Sequence, residues 1–443
     1  MHVIEFDFNK SDGKIKPMNA VNNGPATISR RTGLSNFESY SALEIPYARN
    51  HDAALFLNYG GEHVVDVHRI FKNFEADEND PASYIFGPTD NYIQDTLDAG
   101  TQTFYRLGAA IEHGYKYGTY PPKDYKKWAR ICEHIIMHYN EGWANGFHYG
   151  IEYWEIWNEP DCVGPCWQGT KEQFYEFFEV VLYHLKDRFK DLKIGGPALC
   201  SVTDSRDTFE GLLQYLNRNG QTAPLDFFSW HMYGNDPSEF ERKIDLTEEI
   251  LNKYGYSGIE NILNEWNYIK GWSNEEWDYS IRAEKGLKGS SFVAGAMCVC
   301  QAKNINMLMY YDARPCVMCG LFETETLRPL KTYYVFEMFR DLRRLGDYIP
   351  TKYMCNGIYT CAATDHEGNY GIMISFFDDN DDAEPKSICI DFTNTTNKTK
   401  VEYYLIDENH DNALVREETF TADSFKAYIK MSNYSTYYIK ITK

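Results

Sequence analysis

Between residues 17 and 346 the chain alternates short apolar runs with segments of helical period, and this alternation constrains the fold more than any other feature. Strands that alternate with helices pair in parallel and are covered on both faces. The runs lie at 18–21, 63–70, 103–107, 153–157, 192–194, 226–230, 262–263 and 307–311. Eight of them over this length predict an α/β fold of the (β/α)8 TIM barrel type spanning 17–346. The helical segments carry their own punctuation. Trp128, Ile131, Cys132, Ile135, Ile136 and Tyr139 share one face over 123–140, and Pro121-Pro122 prevents an earlier start. Thr170 and Gln173 fit a capping box for a helix buried through Phe174, Phe177, Phe178, Val181 and Leu185. A third pattern, 331–345, stops at Gly346.

Beyond Gly346 the period changes to two. Ile372, Ile374 and Phe376, then Ile388, Ile390 and Phe392, then Tyr437, Ile439 and Ile441 alternate with other residues, as antiparallel strands do. Ile4, Phe6 and Phe8 show the same alternation near the start. A β-sandwich of 347–443 is therefore expected to take up 1–16 as an additional strand.

Composition narrows the partners. Lys and Arg number 44 against 65 Asp and Glu, a net charge of -21, which repels phosphate backbones and anionic lipid. Neither nucleic acid nor a membrane is an expected partner. The most apolar stretch, 291–300, is too short to span a bilayer. Met1-His2-Val3-Ile4-Glu5-Phe6 has no basic segment leading into an apolar run, and 11 cysteines are an odd number, so a reduced, cytoplasmic setting is expected. Of Cys162/Cys166, Cys298/Cys300 and Cys316/Cys319 only the last has CxxC spacing, and without a second such pair no metal is expected. The sequons at Asn394, Asn397 and Asn433 would matter only in a secretory pathway. The sandwich strands offer edges on which a second copy could pair, so a homo-oligomer is one expectation.

Reacting groups in such a barrel belong at the C-terminal ends of strands. Glu159 follows Tyr153-Trp154-Glu155-Ile156-Trp157-Asn158, and Glu265 follows Ile262-Leu263-Asn264. If these end the fourth and seventh strands, the two carboxylates face each other across the mouth. Acetal cleavage needs such a pair: one acid protonates the departing oxygen, and a carboxylate stabilises or captures the oxocarbenium-like centre. Aromatic residues at 16% supply flat faces for sugar rings as well as core.

The segment Tyr153–Asp161 resembles the acid/base segment of the clan of retaining (β/α)8 glycoside hydrolases. The series Val65–Ile70, Pro122–Trp128, Ile194–Ala198, Asp226–Tyr233, Ile262–Trp266 and Gly320–Phe322 narrows the resemblance to glycoside hydrolase family 39, which includes β-xylosidases and α-L-iduronidases. That resemblance implies Glu159 as acid/base, Glu265 as nucleophile, Asn158 on the sugar 2-OH and Tyr233 donating to the nucleophile. It further implies His231 as a substrate-side histidine, His68 as the histidine of the second strand and Asp312 as a sugar contact after the eighth. Trp266 is read as a stacking platform or packing, and Arg106 as a sugar contact or a buttress for a carboxylate. No metal or organic cofactor is implied, and no phosphate-binding loop is present.

The sequence departs from the family at 29–61, an irregular polar stretch containing Arg49-Asn50-His51-Asp52, where His51 and Asp52 have sugar-binding chemistry. Asp312-Ala313-Arg314-Pro315 also differs. The expected activity is exo-acting, retaining hydrolysis of a β-D-xyloside or similar neutral pentoside. An α-L-iduronidase-like enzyme, with Arg69 or Arg314 holding a uronate, an arabinoside-specific enzyme and a non-catalytic carbohydrate-binding barrel are the alternatives.

Overall fold

The computed structural model describes residues 2–27, 33–53, 63–111, 117–162, 164–351, 357–393, 399–422 and 424–442. Strand β1 (His2–Asp7) stands apart from the barrel. The next eight strands close it in sequence order: β2 (Ala20–Asn22), β3 (Tyr47–Asn50), β4 (Gln102–Leu107), β5 (Tyr153–Ile156), β6 (Lys193–Leu199), β7 (Phe227–Gly234), β8 (Glu260–Tyr268) and β9 (Met307–Tyr310). The helices are α1 (Phe37–Ala42), α2 (Val67–Ile70), α3 (Gly87–Asp98), α4 (Tyr125–Asn140), α5 (Lys171–Arg188), α6 (Arg206–Leu216), α7 (Ser238–Lys253), α8 (Asn274–Glu284), α9 (Leu287–Gln301) and α10 (Lys331–Leu345). The capping box of α5 forms in both directions between Thr170 and Gln173, and Asp124 caps α4 through the Lys127 N–H.

One barrel strand is not where the sequence placed it. The run 63–70 ends in α2, and its Val64, Val65, Val67 and Ile70 are buried against the barrel rather than within it. The second barrel strand is β3, inside the stretch read as irregular, and His68 therefore belongs to a short helix.

The barrel interior is layered. Ala20, Phe104, Tyr153, Phe227, Ile262, Met307 and Met309 form an apolar floor. Above it, towards the C-terminal ends of the strands, lies a polar layer of Asn22, Arg49, Glu155, Ser229 and Asn264. Inward positions alternate along a strand, so Glu155 points in while Trp154 and Ile156 point to the helices.

The C-terminal region has two sheets. Strands β10 (Asp347–Ile349), β11 (Ile358–Thr364), β12 (Tyr370–Phe376), β14 (Thr399–Ile406), β15 (Asp411–Phe420) and β17 (Thr436–Thr442) form one, in the order β10-β11-β12-β17-β14-β15. The other is β1 with β13 (Lys386–Thr393) and β16 (Ser424–Met431). Ile4, Phe6 and Phe8 join Ile372, Ile374, Phe376, Ile390, Phe392 and Ile439 in the core between them. The N-terminal strand thus joins the sandwich, but it runs parallel to β13, with His2 opposite Ile388, in an otherwise antiparallel region. The opposite face of the larger sheet rests on α9, where the Ser375 hydroxyl donates to the Ser291 carbonyl. This explains the apolar run at 291–300: α9 is buried on every side, between barrel and sheet. No helix among the described residues is long and apolar enough to cross a membrane. Asn394 and Asn397 lie outside the described residues; Asn433 spends its amide hydrogens on the Asp378 and Asn380 carbonyls.

Candidate active site

The C-terminal mouth of the barrel brings Glu159 and Glu265 together. Three residues with left-handed backbone shape this region: Trp157 (φ 74°), Glu159 (φ 47°) and Ala198 (φ 57°). Such conformations cost about 1–3 kcal/mol each in a non-glycine residue and persist only where the surroundings enforce them. Here the Trp157 N–H donates to the Leu107 carbonyl (2.7 Å) and the Glu159 N–H to the Ala198 carbonyl (2.9 Å). Gly108 leaves room for this, since a Cβ there would stand 3.0 Å from the Trp157 Cα. Opposite, β8 bulges between Leu263 and Glu265 against β7. The bulge lets the consecutive Asn264 and Glu265 both face inward, one into the polar layer and the other into the mouth.

One oxygen of each glutamate, with His231 Nδ1, lies in a group whose members are all within 4.8 Å of one another. Glu265 Oε1 accepts from the Tyr233 hydroxyl at 2.6 Å, and Oε2 from Arg49 NH1 at 3.2 Å. Glu159 Oε1 lies 2.7 Å from His231 Nδ1, and its Oε2 is 3.6 Å from Cys166 Sγ. Burial pushes both carboxyl groups up, Glu265 to about 7; the nearby Glu159 charge adds to that rise, while His231, Arg49 and Tyr233 oppose it. Two carboxyls this close ionise one after the other as a pair. The first charge is better held on Glu265, which faces a permanent cation and a phenol. Glu159 faces a thiol and an imidazole whose protonation burial disfavours.

Arg49 organises the site. Fully buried, it donates through Nε to Glu155 Oε2 (2.7 Å), through NH1 to Asn22 Oδ1 (3.1 Å) and Glu265, and through NH2 to Asn158 Oδ1 (2.7 Å). Asn158 is thereby oriented with its Nδ2 buried and partnerless among the described residues, a donor available to a ligand. Arg49→Met should cost about 3–5 kcal/mol in chemical denaturation, because Glu155 would keep its buried charge without a counterion. A loss below about 1 kcal/mol would show that Ser229 and Asn264 suffice.

The other predicted residues divide into those that reach the mouth and those that do not. His51 is buried with Nε2 3.8 Å from Glu265 Oε2, and burial drives its pKa well below the usual histidine range. Burial would raise Asp52, but His51, Arg314, His63 and the donating Tyr311 hydroxyl outweigh it and hold the carboxylate well below its ordinary value. Asp312 accepts from Asn23 Nδ2 (2.9 Å) and the Arg314 N–H (2.7 Å); burial pushes it to about 6 against the pull of Arg314. Both carboxylates flank Arg314, at 3.6 Å from Asp52 and 3.3 Å from Asp312.

For Trp266 and Arg106 the structure decides between the two readings, and for His68 it corrects the one. Trp266 is fully buried on the outer side of β8 among Phe240, Phe292 and Tyr310, so it is packing and not a platform. Arg106 is fully buried and donates to Asp66 (2.6 Å) and the His51 carbonyl (2.8 Å), which makes it a buttress beneath the site. His68, on α2 rather than on the second strand, lines a cleft of about 240 Å³ with Trp157, Trp128, Phe74 and Tyr120. Sequence reasoning missed Arg49, Glu155 and Cys166 as parts of this constellation. Arg49 had no signal beyond a polar tetrapeptide, whereas the alternation of β5 already pointed Glu155 inward.

A model of "Glycosyl hydrolases family 39" matches residues 40–313, well over half of the chain. The chain belongs to glycosyl hydrolase family 39. A β-xylosidase from Caldicellulosiruptor saccharolyticus is 28% identical over 167 residues, 35% of this chain and 32% of that protein. A second, from Geobacillus stearothermophilus, is 28% identical over 179 residues, 37% of this chain and 33% of that protein. The matches thus span about a third of these curated relatives. Among solved structures, a glucosidase from Croceicoccus marinus superposes with a TM-score of 0.80 at 20% identity, covering 100% of this chain and 99% of that one. At this identity the likeness is one of fold. The family 39 match covers seven of the eight barrel strands, β3 to β9.

Proposed function

We propose that this family 39 protein is a retaining, exo-acting glycoside hydrolase that removes a neutral pentose, with a β-D-xyloside as the leading substrate. The observation that carries the proposal is the approach of the two glutamates, with oxygens within 4.8 Å. Retaining enzymes hold their carboxyls about 5–5.5 Å apart, whereas inverting ones leave about 6.5–9.5 Å for a water. In the first step Glu159 gives its proton to the departing oxygen while Glu265 attacks the anomeric carbon, forming a glycosyl ester. Ester formation removes the Glu265 charge, so Glu159 is left as the base that takes a proton from the incoming water. Tyr233 and Arg49 hold Glu265 for attack, and the free Asn158 Nδ2 suits the 2-OH, a contact that strengthens in the transition state.

Pocket charge supports a neutral glycone. Arg314 is shared between Asp52 and Asp312, which leaves it no surplus charge for a uronate among the described residues. The near-complete burial of His51, Asp52 and Glu265 supports a closed, single-sugar pocket and hence exo action. The names of the β-xylosidase relatives point the same way. A panel of aryl β-D-xyloside, α-L-arabinosides, α-L-iduronide, β-D-glucoside and β-D-galactoside tests the reading, with the first product anomer followed by proton NMR. The xyloside should turn over fastest and release β-xylose first. Initial release of the α anomer, or a clear preference for the iduronide, would overturn it.

A further inference from the structure

The loop carrying Glu159 closes a turn that also carries Cys162 and Cys166. The Cys162 N–H donates to the Glu159 carbonyl (3.0 Å), and the Cys166 N–H donates to the Cys162 carbonyl (3.1 Å). These bonds gather residues 159, 162 and 166 on one side of the turn, so that a carboxylate oxygen and two Sγ atoms all lie within 4.8 Å of one another. Asp161 accepts from the Cys200 N–H (3.0 Å) and ties the loop to the end of β6, next to a third thiol. Cys166 and Cys200 are free thiols, and Cys162 is half-buried, which leaves a route in from solvent.

We propose that Cys162, Cys166 and Glu159 form a binding site for a thiophilic divalent cation such as Zn²⁺, and that its occupation switches hydrolysis off. The inference rests on Glu159 as the acid/base. The donor chemistry is two thiolates and a carboxylate, with a water completing a tetrahedron. Zinc bonds of about 2.3 Å to sulfur and about 2.0–2.2 Å to oxygen set a tetrahedral S···O edge of roughly 3.5 Å. Cys166 Sγ and Glu159 Oε2 already stand 3.6 Å apart. Binding releases the Cys162, Cys166 and Glu159 protons to solvent and commits Glu159 Oε2 to the metal as an ionised ligand. The carboxyl then has no proton for the leaving group. The expacted loss is that of general acid catalysis, about 10²-fold or more. The Cys162/Cys166 pair, from whose spacing alone no metal is expected, becomes a ligand set only because the turn adds Glu159.

Glu159, His231 and Glu265 are a second group within 4.8 Å, and a metal there would also inhibit. The test therefore separates the two groups. The full chain, kept reduced with a phosphine, is titrated with Co²⁺ in the wild-type, Cys162→Ala, Cys162→Ser and Glu265→Gln forms. A near-ultraviolet thiolate-to-cobalt band at one equivalent, displaced by Zn²⁺, is expected in wild type and in Glu265→Gln and absent from both Cys162 variants. In parallel, Zn²⁺ should inhibit wild-type hydrolysis reversibly with a chelator, while Cys162→Ala, active without metal, should need at least about 10-fold more Zn²⁺. Absence of the band, or equal Zn²⁺ sensitivity in Cys162→Ala, would overturn the proposal. A cobalt band in a protein that hydrolyses no glycoside would instead sink the functional reading and leave the metal site standing.

Discussion

Glu265→Gln should lower kcat/KM by at least about 10⁴-fold on every glycoside the wild type cleaves, because an amide neither attacks the anomeric carbon nor leaves from it. The variant should also be more stable than the wild type near neutral pH. In the folded wild type burial raises Glu265 to about 7, above the value of a free glutamate. A raised folded pKa contributes stability that is fully present below the unfolded value near 4.5 and is lost as pH rises through about 7. A neutral amide escapes that loss, so Glu265→Gln should gain on the order of 1–3 kcal/mol above pH 7 and lose the advantage below about pH 4.5. Thermal unfolding across this range checks the sign. A catalytic defect accompanied by lower stability at every pH would mean that the substitution had damaged the barrel rather than removed a nucleophile.

Glu159→Gln should divide substrates by their leaving groups. Alkyl glycosides and oligosaccharides need a proton on the departing oxygen, so their rates should fall by about 10²–10⁴-fold. Aryl glycosides with strongly acidic phenols depart without that proton, and their first step should change little. Deglycosylation then becomes limiting, since no base activates water, and added azide should accelerate turnover while giving a β-glycosyl azide. The pH profile provides a second readout. In the wild type the acid limb reports protonation of Glu265 and the alkaline limb ionisation of Glu159, both as properties of the pair. The alkaline limb should disappear in Glu159→Gln. Equal losses on good and poor leaving groups, with no azide effect, would remove Glu159 from the acid/base role.

What the sequence made legible follows from where each side chain faces. The strands around Trp154, Phe228 and Leu308 are read correctly because one face meets helices and the other the apolar floor, which leaves a continuous apolar run. Strand β3 escapes because its inward residue at the polar layer is Arg49, so Tyr-Ala-Arg-Asn carries no such run. The run at 63–70 misleads for the converse reason, since Val64, Val65, Val67 and Ile70 are apolar to cover the barrel from outside. The two glutamates could be located from their positions after strands, but the bulge that turns both Asn264 and Glu265 inward depends on pairing with β7. The turn that sets Cys166 beside Glu159 depends on backbone angles that residue identity does not announce.

The parallel pair of β1 and β13 also bears on how the chain is made. His2 lies opposite Ile388, so the first strand emerges from the ribosome about 386 residues before its partner. At synthesis rates of about 5–20 residues per second, it waits roughly 20–80 s with an open hydrogen-bonding edge. Its Ile4, Phe6 and Phe8 have no sandwich to enter during that interval, although the barrel strands are complete well before β13 is translated. The nascent protein thus exposes a sticky β-edge throughout that interval, and this strand is where a holdase chaperone would be most useful.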